Sequence, residues 1–172
     1  MMDEILEILK YTLPSVITGG VAAYFLKQFV FMESNKRKFE MLNDKKKQSL
    51  PIRLQAYERM TLFLERINIT NLAYRVEPET FNKIEYAKLL ISQINAEYEH
   101  NLVQQIYISP DCWTLITNTK TTILNNITAC SMHDNLTSGK DLQQELIKIG
   151  KEGPSPTQIA QQYIQKEVQT IL

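Results

Sequence analysis

Sixteen consecutive residues without a charge, Tyr11 to Leu26 (YTLPSVITGGVAAYFL), constrain this chain more than any other feature. At 1.5 Å per residue the run spans about 24 Å as a helix, short of the roughly 30 Å hydrocarbon core of a bilayer. Beyond Lys27 the sequence continues Gln-Phe-Val-Phe-Met. Those residues close the gap if the Lys27 ammonium snorkels toward the headgroups. Pro14, Gly19 and Gly20 weaken a helix in water but are tolerated in lipid, where glycine lets a second helix come close. The run predicts a transmembrane anchor within residues 1–32. The competing reading is a buried helix of a soluble protein over residues 4–32, because a single lysine in a run barely long enough to span is compatible with both.

Charge sets the expected orientation. Residues 1–26 hold Lys10 against Asp3, Glu4 and Glu7, net −2; residues 27–50 hold Lys27, Lys36, Arg37, Lys38, Lys45, Lys46 and Lys47 against Glu33, Glu40 and Asp44, net +4. Basic residues collect on the cytoplasmic side of a spanning helix, so a single pass with the N-terminus outside and the remainder in the cytoplasm is expected. The opening MMDEILEILK has no basic n-region and Phe-Val-Phe-Met offers no small-residue cleavage site, which argues against a removed signal peptide. The same seven basic side chains are candidate contacts to an anionic leaflet. The plainer reading of residues 33–50 is a solvated basic linker, since its three acids dilute the patch.

Residues 51–172 carry 11 Lys/Arg against 13 Asp/Glu, a balance that gives no footprint for nucleic acid. Cys112 and Cys130 are too few for a disulfide-stapled scaffold. The segment reads as helices throughout. Pro51 behind Ser49 predicts a helix start, with a helix running to Val76. On its wheel Ala56, Tyr57, Met60, Phe63, Leu64, Ile67 and Tyr74 share one face, with Leu54, Leu62, Ile69, Leu72 and Val76 roughly opposite. A helix apolar on two sides is central in a bundle or shared with a partner. A second helix is expected from Thr80 or Phe81 toward Ile108, with Ile84, Ala87, Ile91, Ile94, Tyr98 and Leu102 in one stripe. Ser109-Pro110 supplies a cap and first-turn proline for a third, aligning Cys112, Trp113, Ile116, Ile123, Ile127 and Cys130. Its six threonines are poor helix formers, so packing must hold it. HDNLTSGK reads as a loop, Asp141–Ile149 as a short helix stopped by Gly150, and Ser155-Pro156 opens a last helix carrying Ile159, Ala160, Tyr163, Ile164, Val168 and Ile171. The fold class expected is all-α: an N-terminal transmembrane helix (1–32), a basic juxtamembrane linker (33–50) and a four- to five-helix cytoplasmic domain (51–172).

Chemistry is sparse. Glu97 and His100 have the Glu-x-x-His spacing of di-metal bundle sites, but the other histidine, His133, follows Cys130 rather than a glutamate, so the ligand set is incomplete and no metal is expected. Cys112 and Cys130 lie five turns apart on one helix face, about 27 Å, too far to bond; both read as small core residues rather than nucleophiles. No phosphate-cradling loop, nucleophile elbow or zinc-protease motif occurs, and neither catalysis nor a cofactor is expected. Asn68, Asn126 and Asn135 open glycosylation sequons that cytoplasmic topology leaves unmodified.

The segments PIRLQAYERMTLFLERI (Pro51–Ile67) and EYEHNLVQQIYIS (Glu97–Ser109) resemble an uncharacterised family of bacterial single-pass, membrane-anchored helical proteins. The resemblance extends from the anchor to the last helix. It implies the bacterial inner (cytoplasmic) membrane and brings no established activity, substrate or partner. Within the first segment Glu58 and Glu65, and Arg59 and Arg66, recur at seven residues and flank the apolar stripe as in helix-pairing surfaces. The expected function is a non-enzymatic membrane-anchored scaffold or adaptor, with Leu54, Glu58, Leu62, Glu65, Ile69 and Leu72 as the surface for a protein partner or a second copy, and membrane lipid as the other partner. The alternatives are a small-molecule binder or enzyme using a bundle cavity, and a sensor of anionic lipid surfaces.

Overall fold

A computed structural model describes the backbone of residues 2–172 and their side chains other than those of residues 2–9, 11, 43, 45 and 46. Among the described residues every regular element is helical, and the only strand-type pairing is an isolated antiparallel bridge between Asn82 and Ser138. The elements are α1 (Met2–Ile67), α2 (Ile69–Arg75), α3 (Lys83–Asn101), a 3-10 segment (Leu102–Ile106), α4 (Pro110–Ser131), α5 (Gly139–Lys151) and α6 (Pro156–Ile171). The chain divides into two compact units, Met1–Ser49 and Leu50–Leu172.

In the first unit the basic segment is helical. Each described side chain from Thr12 to Met32 is exposed. Arg37 pairs with Glu33 at 2.7 Å and Lys36 with Glu40 at 3.9 Å, one helical turn apart in each case. Exposed pairs of this kind contribute only a few tenths of a kcal/mol, about 0.3–0.5. Lys27, Lys38 and Lys47 are exposed, while the side chains of Lys45 and Lys46 fall outside the described residues.

Pro51 does not begin a helix: it lies inside α1, and Ser49 is not its cap. The ring removes one helical hydrogen bond, at a place where Gln48, Ser49 and Pro51 are exposed and water can satisfy the freed carbonyl. The second unit is built on the last turns of α1. Ala56, Tyr57, Met60, Phe63, Leu64 and Ile67 are all buried there, as their spacing predicts, each large side chain contributing about 1.5–3 kcal/mol of burial. The expected helix to Val76 is in fact two. Asn68 leaves the helical region (φ −53°, ψ 127°), and its side-chain oxygen accepts from the Thr70 and Asn71 N–H groups to start α2. Its Nδ2 donates to Ser155 Oγ and Thr157 Oγ1 at the head of α6. One residue of the first sequon thus ties three helices together. Tyr74, expected on the core face, is exposed because the break re-aims α2.

The second expected helix is shorter than 80–108. Asn82 caps α3 in a reciprocal box with Glu85, and regular α structure ends at Asn101. Its buried face is Tyr86, Ala87, Leu90 and Ile94, so the stripe is rotated and Ile84 and Leu102 are exposed. The Tyr86 hydroxyl donates to the Val76 carbonyl at 2.7 Å, and Gln143 Nε2 to the Ala73 carbonyl at 2.8 Å, which satisfies the open end of α2. α4 follows the sequence closely: Ser109 Oγ accepts from Cys112 N–H, and Cys112, Ile116, Ile123, Ile127 and Cys130 are buried. Five of its six threonines (114, 117, 121, 122 and 128) donate to the carbonyl four residues back, so these hydroxyls do not compete for a non-helical backbone. On α6, Ala160 and Ile164 are buried, but Ile159 and Tyr163 face solvent.

α5 packs against α2, α3 and α4, and glycine makes its closest approaches possible. Gly150, expected to stop the helix, lies within it. A Cβ there would run into Thr70 Oγ1 and stand 2.7 Å from Ile69 Cγ2. At the other end a Cβ on Gly139 would stand 2.8 Å from the Phe81 carbonyl oxygen, which accepts from Gly139 N–H. Gly150→Ala gains up to about 1 kcal/mol of helix propensity, but overpacking costs about 1–3 kcal/mol. The overlap with α2 makes the cost prevail, and thermal unfolding should shift down by about 2–4 °C for each kcal/mol of net loss. A melting point at or above the native value would contradict this packing.

Asp141 closes the capping box of α5. Its carboxylate accepts from the Ser138 and Thr137 N–H groups at 2.9 and 3.1 Å and from the Thr137 hydroxyl. The Ser138 backbone bond, first among these, holds its pKa down at about 2, against 3.8 ordinarily. A depressed carboxylate stabilises the fold above its unfolded pKa and loses that contribution as pH falls through the folded one. The advantage of the native chain over Asp141→Ala in thermal melts should therefore be full at neutral pH and shrink between about pH 4 and pH 2. A difference independent of pH would show that the carboxylate charge plays no part.

Candidate interaction surface on α1

Outside the core, α1 presents a ridge formed by Leu54, Glu58, Leu62 and Glu65, residues that fall on one face at helical spacing. Leu54 is half-buried; Glu58, Leu62 and Glu65 are exposed, Leu62 by 54%. A groove runs on either side. On the α3 side it holds about 390 Å³, lined by Gln55, Arg59, Leu62, Phe63 and Arg66 of α1 and by Glu97, His100 and Asn101 of α3. On the α6 side it holds about 860 Å³, lined by Leu54, Tyr57 and Thr61 opposite the glutamines 158, 161, 165 and 169. Glu58 borders both.

The α3 groove has a fixed charge pattern. Arg66 Nη1 donates to both carboxylate oxygens of Glu97 at 3.0 Å, and Asn101 Nδ2 donates to the Glu97 backbone carbonyl. Glu97 is thus engaged by Arg66, and His100 is exposed. Among the described residues no three His, Cys, Asp or Glu side chains gather as a metal site. On the other flank the Glu65 carboxylate accepts from Asn71 Nδ2 at 2.7 Å and Gln161 Nε2 at 3.1 Å.

Ile69 and Leu72, expected on the partner surface, do not belong to it. Both are buried in the core, Leu72 to 1% exposure, because Asn68 ends α1 and α2 turns them inward. Arg53, on the apolar side by sequence, donates from Nε to the Tyr107 carbonyl at 3.2 Å.

One polar cluster lies inside the unit. The Tyr57 hydroxyl donates to Glu167 Oε1 at 2.7 Å. Burial, then the Glu167 carboxylate, pushes the Tyr57 hydroxyl up to about 12. Burial, then the charge of Glu167, pushes the Cys112 thiol up to about 12 as well, and burial raises Cys130. Burial thus favours the protonated form of both thiols and the phenol. Sequence reading missed Glu167, whose only sign was an acid near the buried stripe of the last helix.

The two segments that carry the family resemblance meet in space: Arg66 pairs with Glu97, Arg53 bonds Tyr107, and the rings of Phe63 and Tyr98 lie 6.0 Å apart. The model of a family of unknown function (DUF7935) matches residues 3–171. The chain belongs to the DUF7935 family. No curated protein and no solved structure matches it. For this DUF7935 chain the ridge makes a sharp contrast measurable. Leu62→Glu should leave stability within about 0.5 kcal/mol of native, as surface changes do, whereas Leu72→Glu buries a charge and should cost about 4 kcal/mol or more. Equal losses by denaturant melts would mean that Leu62 is a core residue.

Proposed function

We propose that the chain is a non-enzymatic membrane-anchored adaptor: the apolar part of α1 sits in the bacterial inner membrane, the Leu50–Leu172 unit lies in the cytoplasm, and the ridge of α1 receives a helix of a protein partner or a second copy. The observation that carries this reading is apolar surface left uncovered on α1. Among the described residues one helix is long and apolar enough to cross a membrane, and none of the side chains in its most apolar window is buried. Val16, Phe25, Leu26, Phe29 and Phe31 are more than half exposed. Water penalises such a surface at roughly 25 cal/mol per Å², a cost that lipid removes. The +4 charge of residues 27–50 supports an inward-facing domain. On the ridge, Leu62 stands between acidic and basic neighbours at helical spacing, an arrangement that suits helix-in-groove docking.

Two measurements test this together. Carbonate washing of membranes should leave the chain in the pellet; release into the supernatant would remove the anchor. A photo-crosslinker at position 62 should give a discrete adduct that Arg59→Glu diminishes. Crosslinking no greater than from exposed Gln144 would remove the ridge as an interface.

A further inference from the structure

The charges on the exposed face of α1 are sorted by side. At helical spacing Glu58 and Glu65 fall about 40–60° to one side of Leu62, and Arg59 and Arg66 about as far to the other. All four are exposed. Arg59 and Arg66 border the α3 groove, where Arg66 is held on Glu97. Glu65 leans the other way, toward α6, through Gln161. Between the two margins lie Leu62 and Gln55, both exposed. Among the described residues no hydrogen bond or ion pair engages the side chain of Glu58 or Arg59.

A helix face with acids along one margin and bases along the other is complementary to itself, and in one direction only. When two copies pair through it about a two-fold axis parallel to the helices, the acidic margin of each lies against the basic margin of the other. Glu58 then stands about 1.5 Å, one residue rise, from the level of Arg59 of the second copy, and Glu65 as close to the level of Arg66. Reversing one helix brings like margins together, Glu58 against Glu65 and Arg59 against Arg66, which repel. Arg66 spends Nη1 on Glu97 and keeps other N–H donors for a second carboxylate.

We propose that the partner of the ridge is a second copy of this chain, docked in parallel through Gln55, Glu58, Arg59, Leu62, Glu65 and Arg66. The proposal deepens the adaptor reading above and rests on it. α1 is one helix from Met2 to Ile67, so two copies inserted alike in one membrane present it in the same direction, the direction that the charges select. Leu62 meets its own counterpart near the axis, where apolar surface leaves water, and the charged margins set register and orientation as flanking charges do in coiled coils. Each margin serves twice across the two-fold axis, an economy that a foreign helix does not require. The contact is isologous, so it closes as a dimer rather than growing into a filament.

The test uses the full chain in phosphatidylcholine vesicles, recovered by flotation and oxidised with copper phenanthroline. One cysteine is introduced, Leu62→Cys, Gln55→Cys or Gln144→Cys; Cys112 and Cys130 are buried, and Gln144 is an exposed control on α5. Disulfide-linked dimer should form at 62 and at 55 severalfold more than at 144. Glu58→Arg or Arg59→Glu, added to Leu62→Cys, should each lower the yield to the level at 144. Both changes in one chain exchange the margins at that level and should restore at least half of the yield. The two side chains are exposed and pair with nothing in their own unit, so these variants keep the fold. Dimer at 62 without dimer at 55 overturns the parallel arrangement. No loss in the single reversals, or no recovery in the exchange, overturns the pairing of margins. No dimer at either position, with a photo-crosslinked adduct to another protein still formed from position 62 in cells, overturns the second copy as partner and leaves the adaptor reading standing. No product by either route overturns both, and a chain that does not float overturns the anchor.

Discussion

The second unit depends on one buried strip, the face of α1 from Ala56 to Ile67. Tyr57, Met60, Phe63, Leu64 and Ile67 are large side chains at 1% exposure or less, and α3, α4 and α6 close over them. A groove runs along each margin of α1, one toward α3 and one toward α6. The tight contacts occur elsewhere, around α5, where Gly139 and Gly150 let backbones come close. The division follows from size: aromatic and long aliphatic residues fill space, and glycine removes it. Asn68 connects the two regimes by ending α1, starting α2 and bonding the head of α6.

Local signals in the sequence translated well. Ser109-Pro110 and Ser155-Pro156 mark helix starts because caps depend on neighbouring atoms only, and the strip from Ala56 to Ile67 and the stripe of α4 follow from period alone. Non-local determinants did not translate. Gly150 resembles a helix stop, but its role is set by Thr70, far away in the chain. The apparent second apolar face of the first soluble helix came from drawing one wheel through Asn68. Leu54 and Leu62 belong to α1, whereas Ile69 and Leu72 belong to a helix with another axis, and on that axis they point inward. An asparagine inside an otherwise periodic run is compatible with a continuous helix, so only the partners on α6 decide.

The same distinction governs the candidate surface. Glu58, Leu62 and Glu65 share an exposed face of α1, as their spacing predicts. What spacing could not give was the partner of Glu97. Arg66 is 31 positions away, and their bidentate pair exists because α1 and α3 lie side by side. Glu167 was invisible for a similar reason: it becomes significant only when Tyr57 and Cys112 are brought to it by two other helices.

Polar and apolar groups are distributed unequally between the interior of the second unit and the surface. Inside the unit, Tyr57 and Cys112 are held protonated at neutral pH by burial and by Glu167, and Cys130 is raised by burial too. All three groups are enclosed in the core. The surface shows the opposite bias, since exposed apolar side chains recur on α1, at Leu62 and through Leu102–Tyr107. Each exposure carries a standing solvation cost in the isolated chain. Polar groups such as Glu167 and Asn68 thus hold the second unit together from within, while large apolar side chains remain outside.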